Sequence, residues 1–335
     1  MKALVVGGGS IGKRHLQNLR DLEVKDIALV EADAQRRRTV TGELGISCFA
    51  QLNEGLDWTP DFVVIATPTH LHVKQALHIA RNGFDLFVEK PLGHTPSGLD
   101  ELLAVVEQKQ LISLVGCNMR FHPGPAQVKE LLLQHRLGKV LFARLHVGSY
   151  LPSWRPEADY RVNYAAADET GGGCILDCIH EIDLARWYLG EVLEVFCIAG
   201  HMSSLEISTE DVAILVCRHI GGAISEIHLD YVQRTYERGC QIVGESGSLF
   251  WDFNQRQVRW FDATTSQWTF FDEPREWQFN QMYMDEMRHF LDCVRNREQT
   301  VLPISDAVAD MQIVFAAKES SRQRALVSTG REVPV

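Results

Sequence analysis

Residues 2–12 read KALVVGGGSIG, and this stretch carries the clearest fold signal in the chain. A short apolar run leads directly into glycines at positions 7, 9 and 12, which match the spacing G-x-G-x-x-G. Such glycines permit a tight turn after a strand, close approach of the backbone to a pyrophosphate, and close packing of the next helix. That helix points free N–H groups at the phosphates. The alternative is a purely structural turn, but we predict a dinucleotide site formed by Gly7, Gly9, Ser10, Ile11 and Gly12.

Residues 1–118 repeat the pattern that begins there. Short apolar runs rich in β-branched residues alternate with helical patterns, which favours a parallel sheet covered on both faces. The predicted strands are 3–6, 27–30, 62–66, 86–89 and 112–115, and the helices between them include 13–22, 71–82 and 98–109. We therefore expect an α/β fold whose amino-terminal domain, residues 1–120, is a doubly wound parallel sheet of the Rossmann type.

After about residue 120 the pattern changes to one dominated by strands. Helices are predicted at 126–135 and 174–189, then strands at 192–199, 212–218, 223–229, 241–243, 248–253 and 257–261, and closing helices at about 280–295 and 305–322. Turn signals such as Gly221-Gly222 separate the strands. This order predicts a second domain, residues 121–335, of the α+β class with a largely antiparallel open sheet.

The composition excludes several classes of function. The 335 residues include 33 Lys and Arg against 44 Asp and Glu, a formal net charge of −11, which disfavours nucleic acid and anionic membranes as partners. No apolar stretch approaches the length of a membrane span. Eight scattered cysteines indicate a reduced compartment, and we expect the protein to be cytoplasmic. Cys174 and Cys178 lack a second pair that would complete a metal site, so no metal is predicted.

Glu31 follows the second predicted strand, 19 residues after Gly12. An acidic group at this position accepts hydrogen bonds from the adenosine ribose and repels a 2′-phosphate, so NAD is favoured over NADP. NADP stays open as the alternative because Arg36, Arg37 and Arg38 follow. We expect these arginines to form a solvated helix face.

The residues after the strand at 62–66 should line the crevice where ligands bind. They include Thr67 and Pro68, which we predict to contact the cofactor, and Thr69, whose hydroxyl could cap the next helix. His72 has two interpretations: it faces the nicotinamide end of the cofactor, or it is a half-buried histidine at a helix start.

Polar residues also end the next two strands. Glu89 ends the predicted strand at 86–89 and Lys90 follows it, and a lysine beside a cationic nicotinamide ring can act as an acid or base. The alternative for this pair is a surface ion pair. Asn118 and Arg120 follow the predicted strand at 112–115. We assign Asn118 to the cofactor, and Arg120 either reaches the substrate or ties the domains together.

Three glycines, Gly171–Gly173, precede a helical pattern with Asp177 and His180. On one continuous helix these two side chains share a face, where an aspartate can fix the tautomer of a histidine and support proton transfer. The alternative is a buried capping network. For Glu181 and Asp183 we favour a structural role.

These motifs together resemble the glucose-fructose oxidoreductase, inositol dehydrogenase and rhizopine catabolism (Gfo/Idh/MocA) family. The resemblance spans nearly the whole chain and implies a Rossmann domain followed by a substrate-binding domain whose open sheet often serves oligomerisation, here as a homodimer or homotetramer. It further implies that Lys90 is the catalytic lysine, that Pro91 after it is often cis, and that His180 is the catalytic histidine. Asp177 matches the family aspartate with a shorter spacing, Asp-x-x-His in place of Asp-x-x-x-His.

Residues 151–161 form the most distinctive loop, and we predict substrate contacts from Trp154, Arg155, Tyr160 and Arg161. Arginines suit phosphate or carboxylate, and aromatic rings can stack on a sugar or base. The loop resembles, more loosely, family members of bacterial cell-surface sugar pathways, which implies an anionic substrate. An ordered loop that packs between subunits is the alternative.

The sequence therefore predicts an NAD(P)-dependent oxidoreductase that moves a hydride between nicotinamide and a hydroxyl carbon. The resemblance implies that the substrate is a sugar, sugar acid, nucleotide-sugar or cyclitol. Two alternatives remain: a sugar oxidoreductase or lyase that keeps and recycles its cofactor, and a non-catalytic regulator that responds to NAD.

Overall fold

The computed structural model describes residues 1–331, and the chain forms two compact units. The first unit joins Met1–Asn118 to Phe279–Val308, and the second joins Met119–Gln278 to the residues from Ala309 onward. The division expected from the sequence, at residue 120, therefore differs for residues 279–308, which return to the first unit.

The first unit is built on a six-stranded sheet whose neighbouring strands all pair in parallel. The strand order is β3-β2-β1-β4-β5-β6, which is the order of a dinucleotide-binding sheet and confirms the predicted doubly wound class. The strands are β1 (Lys2–Val6), β2 (Asp26–Val30), β3 (Ser47–Phe49), β4 (Phe62–Ile65), β5 (Asp85–Glu89) and β6 (Ser113–Gly116). The sequence pattern missed β3, because three residues at a sheet edge are too few to show a period.

Helices follow the strands of this sheet as the pattern predicts. The α2 helix shows why such a segment folds locally, since the Asp33 side chain accepts from the Arg36 N–H at 2.6 Å and Gly45 ends the helix in the left-handed region. The helices of this part are α1 (Ser10–Asp21), α2 (Ala34–Leu44), α3 (Leu52–Asp57), α4 (His72–Arg81) and α5 (Leu99–Gln108).

The second unit contains a nine-stranded mixed sheet in the order β14-β13-β12-β11-β7-β10-β9-β8-β15. Its strands are β7 (Val140–Gly148), β8 (Val192–Gly200), β9 (Val212–His219), β10 (Ile224–Asp230), β11 (Glu237–Gly244), β12 (Gly247–Asp252), β13 (Gln257–Asp262), β14 (Gln267–Asp272) and β15 (Val327–Ser328). Among the pairs of described strands, β7 and β10 run parallel and the others antiparallel, so the predicted class is confirmed. The sequence pattern did not find β7 or β14.

Three helices accompany this sheet: α6 (Pro123–Leu133), α7 (Cys174–Asp177) and α8 (Ile179–Leu189). The sequence predicted one helix over 174–189, and that prediction is wrong. Cys178 leaves the helical region at φ −91° and ψ 29°, which separates α7 from α8. Asp177 therefore ends one helix, and His180 lies in the first turn of the next.

The last two helices, α9 (Asn280–Asn296) and α10 (Ile304–Gln323), agree with the predicted closing helices. The α9 helix belongs to the first unit, because Phe290 packs edge-to-face on Phe62 of β4 and Phe87 of β5, with ring centroids 5.4 and 5.7 Å apart. Met287 joins the same buried cluster. An amphipathic pattern shows that a helix covers a sheet but not which sheet, so the sequence could not assign this helix. Within residues 1–331, no helix is long and apolar enough to cross a membrane.

Candidate active site

The glycine loop after β1 has the geometry that a dinucleotide requires. Gly7 lies at φ +101°, and a Cβ on Gly12 would come 1.9 Å from the carbonyl oxygen of Gly7. Folding therefore demands both of these glycines. A Cβ on Gly9, by contrast, would meet nothing within 4 Å, so the protein itself leaves space there for a ligand.

The first turn of α1 faces that space. Its N-cap residue is Gly9, and no side chain caps the free N–H groups of the turn. Ser10 is exposed and Ile11 half-buried at this helix end. Uncapped amides at a helix start attract phosphate, so the residues present fit the pyrophosphate of a dinucleotide.

Glu31 lies directly after β2 and is buried. Its carboxylate accepts from the Gly8 N–H at 2.8 Å, the Asp33 N–H at 2.9 Å and Arg36 Nη1 at 3.0 Å. Burial raises the pKa of Glu31, but these donors outweigh it and the net pKa lies below the usual value. The carboxylate stays ionised at neutral pH, ready to accept a ribose hydroxyl.

The arginines after Glu31 differ in part from the solvated face that the sequence predicts. Arg36 pairs with the Glu31 carboxylate, and Arg37 Nη1 donates to the backbone oxygens of Glu31 at 2.6 Å and Ala32 at 2.7 Å. Arg36 keeps half of its side chain exposed. Arg36 therefore lies next to the carboxylate that is predicted to bind the adenosine ribose.

The segment after β4 forms a 3-10 turn, Thr69–Leu71, before α4 begins at His72. The predicted cap from Thr69 is therefore not observed, because the α-helix begins three residues later. The Thr67 hydroxyl donates to the Gln75 side chain at 2.7 Å, and Pro68 is exposed.

His72 matches neither of its two predicted interpretations fully, since it is at the helix start but almost completely buried. Its Nδ1 lies 2.8 Å from the Pro91 carbonyl oxygen, and its Nε2 lies 2.8 Å from the Thr67 carbonyl oxygen. Burial, as the largest cause, lowers the pKa of His72 below the usual value. The ring therefore connects two loops through their backbones.

Glu89, the last residue of β5, is buried and lies 2.6 Å from His15 of α1 through Oε1 and Nε2. The exposed ion pair considered from the sequence is therefore not the arrangement found. Lys90 follows, partly exposed, and the Lys90–Pro91 peptide is cis as the resemblance implied. Sequence reasoning missed His15, although it lies three residues after Gly12 on the buried face of α1.

A tyrosine that the sequence did not single out lies near the same turn. Tyr283 of α9 is largely buried, and burial raises the pKa of its hydroxyl, with the charge of Glu89 acting in the same direction and those of Arg14 and Lys90 opposing it. The Arg14 guanidinium stacks over the Tyr283 ring at 4.4 Å. No spacing rule connects a residue near position 280 with a strand end at 90.

Asn118 is buried and is the last residue of the first unit, at the start of a 3-10 turn, Asn118–Phe121. Its assignment to the cofactor stays a prediction. Arg120 is buried in the second unit, where Nε donates to Asp183 at 3.0 Å from Oδ1 and 3.1 Å from Oδ2. This contact connects the start of the second unit to α8 and does not join the two units, and the assignment of Arg120 to the substrate stays a prediction.

Asp177 and His180 of the second unit are both buried, on either side of the break at Cys178. The Tyr164 hydroxyl donates to Asp177 Oδ1 at 2.9 Å, a contact that the sequence did not predict. The sequence predicted that the two residues share a face of one continuous helix, and because of the break they do not.

Structural roles are confirmed for the other two acidic residues of this segment. Glu181 accepts from Arg238 Nε at 2.6 Å and Nη2 at 3.0 Å, and Asp183 accepts from Arg120. The glycines before α7 serve the protein itself, since a Cβ on Gly173 would come 2.4 Å from Oε1 of Glu210.

The loop at 151–161 is mostly exposed and contains the 3-10 turns Leu151–Ser153 and Tyr160–Val162. Arg161 is occupied by Asp159 and Glu206, each at 2.8 Å from a guanidinium nitrogen. Trp154 donates to Ser149 Oγ at 2.7 Å, and the Tyr160 hydroxyl accepts from the Glu206 N–H at 3.1 Å. Arg155 is exposed.

A cavity of about 750 Å³ opens elsewhere in the first unit, along α4 and the loop after β5. Its lining includes His70, Lys74, Arg81 and His94, but neither the glycine loop nor Lys90. The cavity therefore does not mark the candidate active site. Among the described residues, no cluster of three or more His, Cys, Asp or Glu could hold a metal ion.

Two family models match the chain in the order of its two parts. One, described as the oxidoreductase family with an NAD-binding Rossmann fold, matches residues 1–117, and the other, the GFO/IDH/MocA C-terminal domain, matches residues 126–250. The chain therefore belongs to the Gfo/Idh/MocA family of oxidoreductases, and NAD is its cofactor.

Relatives of known activity cover almost the whole chain. It is 27% identical over 340 residues to scyllo-inositol 2-dehydrogenase (NAD(+)) from Bacillus subtilis, with 96% of this chain and 94% of the relative covered. It is 26% identical to myo-inositol 2-dehydrogenase from Thermotoga maritima, with 97% of each chain covered. Levoglucosan dehydrogenase in complex with NADH has the same fold, with a TM-score of 0.90 at 18% identity over 99% of this chain and 100% of the other.

Proposed function

We propose that the protein is an NAD-dependent dehydrogenase that oxidises one secondary hydroxyl of a neutral, ring-shaped polyol, either a cyclitol or a sugar. Family membership supports the reaction type, and the full-length similarity to two inositol dehydrogenases supports the substrate class. The observation on this chain that carries the proposal is the turn after β5, which presents Lys90 beside the loops that fit a dinucleotide.

The residues of the chain divide the chemistry as follows. Lys90 accepts the single hydroxyl proton of the substrate. His180, with Asp177 held by the Tyr164 hydroxyl, is the second proton-transfer group that the family resemblance assigns. Bound NAD would supply the hydride acceptor. The glycine loop and the start of α1 bind the pyrophosphate, while Glu31 accepts the ribose hydroxyls.

A neutral substrate fits this chain better than the anionic one expected from its loop. The carboxylates of Asp159 and Glu206 already neutralise Arg161. Arg120, another arginine assigned to substrate, is paired with Asp183, whereas Arg155 is exposed. A phosphate or carboxylate group of a substrate would have to displace these carboxylate partners, so its net binding free energy would be smaller.

Neither alternative from the sequence is favoured. Two relatives that cover almost the whole chain are named as inositol dehydrogenases. A regulator would have no use for an acid–base pair, and we infer that the protein releases its cofactor after each turnover.

We also propose that the protein is a homo-oligomer of the cytoplasm. One face of the nine-stranded sheet exposes apolar side chains on the neighbouring strands β7, β10, β9 and β8, namely Phe142, Ile198, Ile214, Val216 and Ile224. A patch of this kind marks an interaction surface. The partner that fits this surface is a second copy of the chain, bound through the same face. The exposed ion pairs Arg144–Glu226 and Arg218–Glu194 place positive and negative side chains on the face, so opposite charges of the two copies can meet.

The test is the change in nicotinamide absorbance with NAD or NADP and a panel of scyllo-inositol, myo-inositol, free sugars, sugar acids and nucleotide-sugars. We expect turnover with NAD on neutral ring polyols. In Lys90→Met the turnover should fall by a factor on the order of 10²–10⁴, because one proton-transfer group is lost, while NADH affinity is kept. Turnover confined to charged substrates, or near-normal turnover of the variant, would contradict the proposal.

A further inference from the structure

Two buried histidines contact the residues on both sides of Lys90. His15, fully buried on α1, lies 2.6 Å from the carboxylate of Glu89. His72, at the start of α4 and 1% exposed, lies 2.8 Å from the carbonyl oxygen of Pro91. Lys90 is the single residue between these two contacts, and all four partners belong to the first unit.

The same histidines connect the Lys90 turn to the loops that fit the cofactor. The helix that carries His15 begins at Ser10, directly after the glycine loop. The other ring nitrogen of His72 lies 2.8 Å from the carbonyl oxygen of Thr67, in the loop after β4. Each histidine thus joins the turn after β5 to one of the two predicted cofactor loops.

Such contacts hold geometry because water cannot replace them. Loss of a hydrogen-bond partner costs a buried polar group more than an exposed one, so the Glu89 side chain and the Pro91 carbonyl have little freedom to move while both histidines are in place. A shift of about 1 Å in a reacting group is enough to slow catalysis severely. Fixing the residues before and after Lys90 is therefore a direct way to fix its amine.

We propose that His15 and His72 are positioning residues that hold Lys90 in register with the dinucleotide loops. The inference rests on the proposed role of Lys90. It adds that the position and reactivity of the amine depend on two imidazoles that touch neither substrate nor reacting atoms. A neutral imidazole has one N–H, so His72 donates to one of the two carbonyl oxygens at a time. A glutamine at this position has an amide N–H that can make the same kind of hydrogen bond.

The experiment measures the amine of Lys90 directly, in the full-length protein and without substrate. Trace labelling with acetic anhydride across a pH series, read by mass spectrometry, gives the reactivity of Lys90 relative to an exposed lysine such as Lys25. The variants are His15→Leu and His72→Leu, with His15→Gln and His72→Gln as conservative replacements. His78→Leu is the matched control, because His78 lies on the same helix but is exposed and bonded to the Asn53 side chain.

We expect the labelling rate of Lys90 at fixed pH to change by about threefold or more in both leucine variants, which corresponds to half a pKa unit. The glutamine variants should recover most of the wild-type profile, and His78→Leu should match it. NADH affinity, measured by fluorescence titration, should fall in the leucine variants because the cofactor loops lose their connection to the turn.

A Lys90 profile equal to that of the wild type in folded leucine variants would overturn the proposal, and so would an equal change in His78→Leu. If the leucine variants do not fold, His15→Asn and His72→Asn, whose shorter side chains reach the same partners less well, replace them and are measured by hydrogen exchange. Faster exchange confined to the peptide around residues 86–92 supports positioning, whereas a uniform rise across the unit shows a merely structural role. Failure of the proposed function would look different: no turnover on any substrate with the Lys90 profile still dependent on both histidines.

Discussion

Single residues decide what the candidate site can do, and Tyr164 is the clearest case. Its hydroxyl donates to Asp177, which was assigned from the sequence, but Tyr164 itself belongs to no recognisable motif. A hydrogen bond to an ionised carboxylate is stronger than one between neutral groups. Tyr164 should therefore hold the carboxylate of Asp177 in one orientation.

Replacing Tyr164 by phenylalanine tests this. We expect kcat/KM for a reacting polyol to fall by about tenfold or more, since the lost bond involves a charged partner, while NADH affinity is unchanged. Tyr188→Phe is the control, because the Tyr188 hydroxyl donates to the backbone oxygen of Pro125. Steady-state kinetics of both variants that agree within about twofold would remove Tyr164 from the site.

The residues that sequence could predict are those whose chemistry follows from spacing along the chain. The glycines at 7 and 12, Glu31 after β2 and Lys90 after β5 occupy the positions expected of them. His15, Tyr164 and Tyr283 could not be found in this way, because each acts on a residue 13 or more positions away. The partner of Arg120 could not be predicted for the same reason, because Asp183 lies 63 positions further along the chain.

At the scale of elements, the sequence predicts most strands and helices but not their interruptions or their partners. The apolar pattern over 174–189 is the same for one continuous helix as for two helices separated at Cys178, so the break cannot be predicted from the residue types. The α9 helix shows the other limit. Its pattern predicts a helix, while its place on the first sheet depends on contacts with residues 190 or more positions earlier.

Phe290→Ala should reveal how much the first unit depends on α9. Removal of this fully buried ring should lower the free energy of unfolding by about 3–5 kcal/mol, because it leaves a cavity against Phe62 and Phe87. Urea unfolding followed by circular dichroism measures the loss. Phe279→Ala, at an exposed ring beside the same helix, should cost less than about 0.5 kcal/mol, and an equal loss in both would contradict the assignment.

The start of α6 depends on the charge state of His122. Its Nδ1 accepts from the Gly124 N–H at 3.1 Å, and burial, helped by Arg238 and Arg256, lowers the pKa of His122 to about 3. The folded protein must keep this ring neutral while the unfolded chain protonates it near pH 6.5. Stability from this group is therefore complete above about pH 6.5 and is lost as the pH falls towards 3.

His122→Asn should make the protein less sensitive to acid, because asparagine can still cap the helix and does not titrate. Between pH 6.5 and 5, the wild type should lose about 2 kcal/mol more of its unfolding free energy than the variant. Urea titrations at the two pH values measure the difference. His135→Asn, at an exposed position, should behave like the wild type, and parallel curves for all three proteins would refute the account.

For the whole molecule, the open face of the nine-stranded sheet sets the expected assembly. In strand β9 the residues alternate, with Ala213, Leu215 and Cys217 buried and Ile214 and Val216 more than 40% exposed. The double variant Ile214→Lys, Val216→Lys should elute as a monomer in size-exclusion chromatography with light scattering, while the wild type elutes as an oligomer. Leu133→Lys, which removes an exposed apolar residue from α6, should keep the wild-type mass. A monomeric wild type would end the proposal.

The class of both sheets could be predicted because alternation and length of apolar runs are local properties. The return of residues 279–308 to the first unit could not, and it bears on how the protein is made. Roughly 160 residues of the second unit lie between the two segments of the first, so a ribosome must synthesise all of them before α9 exists. At a synthesis rate of about 5–20 residues per second this takes on the order of 10 to 30 seconds, during which α9 does not yet cover Phe62 and Phe87. We therefore expect the nascent dinucleotide domain to keep part of its core exposed until α9 has been synthesised, a state that chaperones bind.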